Sequence, residues 1–193
     1  MNAAFDAADN AGKRVIIARD VIAALAEKRL VPMSGTYLSL PSERSPHGTY
    51  GDGALDMLKA KGVDLDGSFQ DLLPTLPPCQ VCAKGAIFAC VVSRRNQVTT
   101  RDAFRSPARW DGQGMFKMLG GIFDAEQLSL IEREFEGHAQ DSGIPDDSVM
   151  GLFDEEDEDG NRKPLYNDEQ RMTLIMQNII VNRGTFVPED GVR

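Results

Sequence analysis

The sequence predicts a single all-α domain of 193 residues built around one buried helix at residues 79–92. Two observations support this prediction. The run from Cys79 to Val92 is apolar on nearly every side, and a helix that is hydrophobic all round is normally buried with other elements packed against it. Elsewhere, apolar residues recur at helical spacing and no alternating pattern demands a sheet. We therefore expect one compact helical domain with long irregular loops.

The composition is that of an ordinary globular protein. Hydrophobic residues make up 41% and charged residues 26% of the chain, which suffices for a core without disulfides or metals. No apolar run approaches the length of a membrane span, and Asp6 and Asp9 precede any apolar stretch, which argues against a secretory signal. The three cysteines lie within twelve residues and do not form a disulfide framework. We therefore expect a cytoplasmic protein.

The N-terminal part of the chain alternates between weak and strong helix signals. Residues 1–11 are rich in Ala, Asp and Asn with only Phe5 to anchor them, so we expect a loose N-terminus. Apolar residues at three- and four-residue spacing then predict an amphipathic helix over 13–30. Residues 33–53 follow as a long loop, and loops of this length are usually functional, disordered or a sign of a missed element. A short strand at 35–40 is the alternative there.

The central helix has a distinctive entry and a distinctive face. Two prolines precede it and pre-set an extended approach that costs the helix nothing. Gly85, Ala86 and Ala89 give one face almost no side-chain volume, so another helix is expected to approach closely there. The other predicted helices lie near 13–30, 54–61, 68–73, 115–123, 124–136 and 168–183.

Two capping boxes begin the last two helices. They are Asp124 to Gln127 and Asn167 to Gln170, each with a capping side chain followed three residues later by glutamine. The last helix also carries the polar residues Arg171, Asn178 and Asn182 on one side. A solvent-exposed face is the simplest explanation of that polar set.

Negative charge is concentrated in one segment. The chain has a net charge of -9, and residues 141–160 hold nine acids without a single Lys or Arg, so this acidic loop accounts for the whole imbalance. The densest part of the loop is the predicted interaction surface. Its residues are Asp154, Glu155, Glu156, Asp157, Glu158 and Asp159.

Positive charge gathers in a second segment, between the central helix and residue 111. Its members are Arg94, Arg95, Arg101, Arg105 and Arg109, with Trp110 as the only tryptophan. Arginines beside an aromatic ring can bind phosphate and stack on bases. Because the chain as a whole repels polyanions, we expect this basic patch to pair with the acidic loop or with the acidic face of a partner, and direct binding of nucleic acid is not expected.

A cysteine-dependent enzyme is the sharpest catalytic hypothesis. The nucleophile would be Cys82, or else Cys79, near the predicted start of the central helix. His138 is one of only two histidines, and Asp141 follows it by three residues. Together they would supply the nucleophile, the base and the group that orients the base. The simpler alternative is a buried structural cysteine and a solvated histidine just past the end of a helix.

The pair Cys79 and Cys82 also has the spacing of half a zinc site or of a redox motif. A structural zinc ion needs four ligands, and Cys90 is excluded because it is about 12 Å from Cys82 along a helix. Only His47 and His138 remain as further candidates, both in distant loops, and of these His138 is taken as the third ligand. A redox pair would need a thioredoxin-like sheet, for which no strands are predicted. We therefore expect ordinary buried cysteines, no metal and no cofactor.

Three motifs together resemble a group of small bacteriophage and bacterial proteins that have no assigned activity. The motifs read Cys79-x-Val81-Cys82-Ala83-x-Gly85-Ala86-x-Phe88, then Ile122-Phe123-x-x-x-Gln127-Leu128-x-x-Ile131-Glu132-x-x-Phe135-Glu136, then Arg171-x-x-x-Ile175-Met176-x-Asn178-Ile179-Ile180-x-Asn182-x-Gly184-x-Phe186-x-Pro188. They span the C-terminal two thirds of the chain. The resemblance implies a phage or mobile-element setting and no particular mechanism.

The function that these observations favour is binding rather than catalysis. We expect a non-enzymatic accessory protein that contacts a host macromolecule through its acidic loop, as an inhibitor or as a mimic of nucleic acid. The expected partner is a host protein whose basic groove accepts carboxylates in place of phosphates. The alternatives are the cysteine-dependent hydrolase or transferase that uses Cys82 and His138, and a structural zinc protein.

Overall fold

The computed structural model describes residues 3–42, 45–95, 98–105, 119, 121–136, 155–156, 162–163 and 166–188. These described residues form eight helices and six strands. The helices are α1 (Ala3–Ala7), α2 (Asn10–Ala26), α3 (Gly51–Ala60), α4 (Phe69–Leu72), α5 (Ala83–Arg94), α6 (Thr100–Arg105), α7 (Ala125–Glu136) and α8 (Asp168–Val181). The strands are β1 (Leu30–Pro32), β2 (Leu38–Ser42), β3 (Ser45–Thr49), β4 (Cys79–Val81), β5 (Glu155–Glu156) and β6 (Arg162–Lys163).

Four of the strands form one mixed sheet in the order β1-β4-β2-β3. Strand β1 pairs in parallel with β4, with Leu30 opposite Cys79, and β2 pairs antiparallel with both β4 and β3. Strands β5 and β6 form a separate antiparallel pair. The all-α prediction is therefore wrong, and the chain has an α/β fold.

Strand β4 explains why the sheet escaped prediction. Cys79 and Val81 are buried on one face and Gln80 is half-buried on the other, so the strand is apolar where it meets the core. Cys82 is extended, with φ -79° and ψ 179°, and helix α5 begins only at Ala83. A short apolar run cannot be assigned to a strand or a helix from periodicity alone. The predicted helix at 79–92 is thus a strand followed by a helix.

Two segments expected to be irregular contain regular structure. The N-terminal residues form helix α1, whose Phe5 is fully buried, rather than a loose end. Residues 33–53 contain β2, β3 and the start of α3 rather than one long loop. Helix α2 ends at Ala26 instead of continuing to residue 30, because Lys28 adopts a left-handed conformation with φ 56°.

The prediction of a buried central element is confirmed for α5, in which every residue from Ala83 to Val92 is buried. Helices α2, α4 and α7 and strands β1 and β4 pack around it. Phe88 contributes to an aromatic cluster, with its ring centroid 5.8 Å from that of Tyr37 and 6.4 Å from that of Phe69.

The face of α5 that carries small side chains packs against the backbone just before β2, rather than against another helix as expected. A Cβ atom on Gly85 would lie 2.7 Å from the carbonyl carbon of Tyr37 and closer still to its oxygen. Tyr37 immediately precedes β2, so the backbone that leads into the sheet lies directly on the first turn of α5. Only glycine leaves room for this contact.

Helix α8 closes the fold against α2 near the start of the chain. Lys28 just after α2 forms an ion pair of 2.9 Å with Glu169 of α8, and Gly184 after α8 packs on the backbone of Ala11. The predicted capping box at Asn167 is confirmed in both of its hydrogen bonds. The helix predicted at 115–123 lies mostly outside the described residues.

The segment after α8 is held by two buried or half-buried amides. The side chain of Gln127 accepts from the N–H of Phe186 at 2.6 Å and donates to its carbonyl at 3.1 Å. Asn178 does the same to Val187, at 2.9 and 2.8 Å. Asn178 is thus buried and internally bonded, so the expected solvent-exposed polar face of the last helix is wrong at this position.

Candidate functional site

Polar and ionisable side chains gather where the two parallel strands end. Strand β1 ends at Pro32 and β4 ends at Val81, and parallel pairing brings both ends to the same edge of the sheet. The segment 33–36 follows the first strand, and Cys82 with the N-terminus of α5 follows the second. In α/β sheets ligands bind beyond the carboxyl ends of the strands, which makes this edge the first place to look for a site.

Cys82 is the N-cap residue of α5 and is only 4% exposed. Burial, which the backbone N–H of Gly85 partly offsets and to which the charges of Glu136 and Glu132 add, raises the pKa of its thiol to about 12. The thiol is therefore protonated at neutral pH. An activated cysteine nucleophile requires the opposite, a lowered pKa.

Lys84 is a cation in the first turn of a helix, where the helix dipole disfavours positive charge. Its side chain is only 5% exposed, and its ammonium group forms a short ion pair with the carboxylate of Glu132 on α7. The hydroxyl of Tyr37 is also buried near Cys82. Burial raises the pKa of this hydroxyl, and the nearby Cys82 adds to the rise. At the edge beyond β4 the buried ammonium of Lys84 is thus neutralised by Glu132, beside the protonated thiol of Cys82.

At the edge beyond β1, two carboxylates accept hydrogen bonds from the backbone. The N–H of Ser34 donates to Oδ2 of Asp168 at 2.7 Å. The next N–H, that of Gly35, donates to Oε2 of Glu136 at 2.6 Å. Glu136 is the last residue of α7 and Asp168 is the first residue of α8. Adjacent amides of one short segment therefore hold the end of one helix and the start of the next.

Arg171 completes this arrangement from the first turn of α8. Arg171 is 4% exposed. Its guanidinium donates to the carbonyl of Phe135 at 2.6 Å and to Oγ of Ser34 at 3.0 Å, and it forms an ion pair with Asp168. The guanidinium also lies 5.4 Å from the ring centroid of Phe135. We call the residues Ser34, Gly35, Glu136, Asp168 and Arg171 the clasp. Arg171 is buried, contrary to its expected place on a solvated face.

The remaining parts of the predicted catalytic triad lie outside the described residues. His138 and Asp141 belong to the chain after α7, and the structure describes neither of them. Glu136, whose charge acts on Cys82, precedes His138 by two residues along the chain.

The other two thiols are also buried and free. Cys79 lies in β4, where its Sγ is 3.6 Å from the carbonyl of Pro77, and Cys90 lies in the middle of α5. Burial raises the pKa of each thiol to about 12. Among the described side chains no group of three His, Cys, Asp or Glu is arranged to hold a metal ion. The third ligand of the zinc hypothesis, His138, is not among them.

The described arginines of the basic patch are engaged within the protein, and the carboxylates that pair with Arg94 and Arg101 belong to Asp20 and Asp66 rather than to the acidic loop, with which pairing was expected. Arg94 forms two hydrogen bonds with Asp20, at 2.7 and 2.6 Å, and these raise the pKa of its guanidinium. Arg101 pairs with Asp66 at 2.9 Å and lowers the pKa of that carboxyl. The guanidinium of Arg95 lies 5.7 Å from the ring centroid of Phe5. The side chains of Arg105, Arg109 and Trp110 are outside the described residues.

Only a small part of the acidic loop is described. Glu155 and Glu156 form β5, in register with Lys163 and Arg162 respectively. With these two cations the stretch 141–163 still carries a net charge of -7. The other four residues of the predicted interaction surface, Asp154, Asp157, Glu158 and Asp159, lie outside the described residues.

Sequence reasoning missed most of the groups that the structure brings together at the sheet edge. One signal was available, because Lys84 is the only charged residue in the apolar run from Cys79 to Val92 and a buried lysine needs an anionic partner. Glu132 and Glu136 are four residues apart and share one face of α7, which is a second signal. The clasp has no local signal, since its members are distant in sequence.

No family model, curated protein or solved structure matches this chain. The resemblance to small phage and bacterial proteins therefore stays a prediction. Within the parts of the chain that the structure describes, every helix is too short or too polar to cross a membrane.

Proposed function

We propose that this chain is a non-enzymatic accessory protein of a phage or mobile element, which acts in the host cytoplasm. It binds a host protein through the acidic loop 141–160. The observation that carries the proposal is the charge of that loop, which holds nine acids and no cation. A row of carboxylates of this density suits a basic groove that ordinarily accepts nucleic-acid phosphates.

The charge pairing of the described fold supports the proposal. Lys84, Arg94, Arg101 and Arg171 each pair with a carboxylate on another element or in the same helix. These cations are therefore engaged with carboxylates of the described fold. The excess negative charge is thereby left in one segment, where it steers association with a cationic surface.

A charge-neutralised variant tests the proposal. The loop variant carries Asp157→Asn, Glu158→Gln and Asp159→Asn, and the control variant removes the same charge from three exposed acids elsewhere. The control substitutions are Asp6→Asn, Asp56→Asn and Glu126→Gln. Each tagged protein is used to capture partners from a bacterial lysate, with and without excess DNA, and the captured protein is then purified for titration calorimetry.

The expected result is a partner that DNA displaces and that binds the loop variant at least tenfold more weakly, roughly 1.4 kcal/mol. The control variant should bind as the wild type does, and the wild-type affinity should fall with added salt. If the loop variant and the wild type bind every partner equally, the acidic loop is not the interaction surface. Equal weakening in both variants would mean that only the net charge matters.

The cysteine-dependent enzyme remains a second candidate because of one electrostatic interaction. Glu136 lies close enough to Cys82 for its charge to raise the pKa of the thiol, and His138 follows Glu136 by two residues. Against this candidate, the pKa of the Cys82 thiol is raised to about 12, chiefly by burial. Cys82→Ala separates the two candidates, since an interaction protein keeps its fold and its partner, whereas an enzyme keeps its fold and loses turnover.

A further inference from the structure

A cleft of about 540 Å³ lies between α3 and α6, away from the sheet edge and the acidic loop. Its walls come from one face of α3, from residues 63–65 after that helix, and from Arg101 of α6. Ligand sites of proteins span about 300 to 1,000 Å³, so the cleft has room for one long side chain. All of the residues that line it are among those that the structure describes.

The floor of the cleft is aliphatic. Leu55 of α3 is only 4% exposed, and Val63 and Leu65 are half-buried and pack against the core. A bound group that carries methylene carbons therefore gains by covering apolar surface here, which a bare inorganic ion does not. This floor makes the cleft a docking groove rather than a set of surface carboxylates.

The rim of the cleft carries three exposed carboxylates. Asp52 and Asp56 are one turn apart and share one face of α3, and Asp64 belongs to the segment after that helix. Oδ1 of Asp64 accepts a hydrogen bond of 3.0 Å from the N–H of Asp66, which orients the Asp64 carboxylate.

One guanidinium of the chain already lies at this rim. Nε of Arg101 is 2.9 Å from Oδ1 of Asp66, and the pKa of Arg101 is raised chiefly by this contact, with smaller contributions from Asp102 and Asp64. Once Arg101 is engaged in this way, Lys59 is the other cation among the lining residues, against three carboxylates. The cleft therefore has a net charge of -2 and attracts a cation.

We propose that this cleft docks an arginine side chain of another protein. The methylene stem of the arginine covers Leu55, Val63 and Leu65, and its guanidinium pairs with Asp56 and Asp64. Arginine fits better than lysine, because a planar guanidinium pairs with two carboxylate oxygens at once and is more weakly hydrated than an ammonium.

This inference goes beyond the proposed function and does not rest on it. The acidic loop attracts its host partner by charge alone, whereas the cleft selects its occupant by apolar contact as well as by charge. The protein that supplies the arginine is therefore assigned as a second one, distinct from the partner of the acidic loop.

The first experiment titrates the full-length ¹⁵N-labelled chain with blocked peptides, at about 150 mM salt to screen long-range attraction. The probe is the peptide Gly-Arg-Gly-Arg-Gly. One matched peptide carries citrulline in place of both arginines, which keeps the stem and removes the charge, and another carries lysine.

The arginine peptide should give saturable shifts of the backbone amides at 55–65 and 101. The lysine peptide should bind about fivefold more weakly, and the citrulline peptide should give no saturable shift. Shifts confined to other residues, or equal affinity for arginine and citrulline, would overturn the proposal. Equal affinity for arginine and lysine would overturn the choice of arginine as the occupant.

The second experiment removes charge from the rim. Asp56→Asn with Asp64→Asn should weaken the arginine peptide roughly tenfold, while asparagine at 64 keeps an acceptor for the backbone hydrogen bond of the turn. The control, Asp6→Asn with Glu126→Gln, removes the same charge from exposed acids outside the cleft and should bind within about twofold of the wild type. Equal weakening in both variants would mean that only the net charge matters, and the cleft would not be the site.

A third variant should act in the opposite direction. Lys59→Gln removes the like charge from the rim, so it should tighten the arginine peptide about twofold. Lys61→Gln, which removes an exposed cation that does not line the cleft, is the matched control and should leave the affinity unchanged. Unchanged or weaker binding in the Lys59 variant would exclude the rim of α3 from the contact.

The variants of the two proposals give opposite outcomes. The variant of the acidic loop should lose the host partner and keep the arginine peptide. The control of that test, which includes Asp56→Asn, should keep the host partner and bind the arginine peptide more weakly. Loss of the host partner on Asp56→Asn would overturn the assignment to a second protein, and loss of the arginine peptide in the loop variant alone would overturn the cleft.

Discussion

For Gly85→Ala, the sequence and the structure predict opposite changes in the free energy of unfolding. From the sequence alone, alanine in place of a helical glycine should stabilise α5 by about 1 kcal/mol through helix propensity. In the structure, a Cβ at this position would lie 2.7 Å from the carbonyl carbon of Tyr37 and closer to its oxygen. Carbon atoms in contact are separated by at least about 3.5 Å, so the strand approach would have to move by about 0.8 Å or more.

The cost of that movement exceeds the gain in propensity. The first turn of α5 and the neighbouring Leu38 of β2 are fully buried, so neither side can yield into solvent. Overpacking a buried contact costs about 1 to 3 kcal/mol and occasionally more, and a clash with backbone belongs at the upper end of that range. We expect Gly85→Ala to lower the free energy of unfolding by about 2 kcal/mol, which is a fall in Tm of about 4 to 8 °C for a domain of this size.

Urea and thermal unfolding followed by circular dichroism measure this change. The matched control is Gly12→Ala in α2, where a Cβ would meet only side-chain atoms of Ala8 and Asp9, both at 3.1 Å. That variant should remain within about 1 kcal/mol of the wild type. A Gly85→Ala protein as stable as the wild type would refute the close approach of Tyr37 to α5.

Two further predictions concern the buried thiols and the segment after α8. At pH 8 all three thiols, including Cys82, should react with a thiol reagent only after unfolding, and one fast-reacting thiol in the native protein would contradict this. The free energy of unfolding should fall as the pH rises from 9.0 to about 12, because the thiols of the unfolded chain lose their protons at lower pH than the buried ones. Asn178→Ala removes both hydrogen bonds to Val187 and should cost about 2 kcal/mol in urea unfolding. Asn182→Ala, whose amide donates to Asn178, should cost less than half as much, and equal losses would exclude a special role for Asn178.

The helices that the sequence predicted well carry their signals locally. Capping residues at Asp124 and Asn167 lie within three residues of the amides that they bind, and α7 and α8 begin at the next residue in both cases. Strands of three to five residues carry no comparable signal. The parallel pair joins Leu30 to Cys79, and no local pattern reveals a partner that distant.

The same distinction holds for the candidate site, where features with a local signal were predicted and features that depend on distant residues were not. Burial of the cysteines followed from the apolar run around them, whereas the raised pKa of their thiols needed the surrounding atoms. Arg171 was predicted to lie on a solvated face because polar residues recur on one side of the helix. Its partners Phe135 and Ser34 are 36 and 137 residues away, and only the folded chain reveals that they surround it.

The packing of α8 on α2 has a consequence for synthesis on the ribosome. Helix α2 ends at Ala26, but the helix that covers it ends at Val181. At about 5 to 20 residues per second, translation of the intervening chain takes roughly 10 to 30 s. During that time the part of the apolar face of α2 that α8 covers has no final partner, which favours chaperone binding or aggregation of the nascent chain. The apolar face of α2 is therefore fully covered only after α8 has been synthesised.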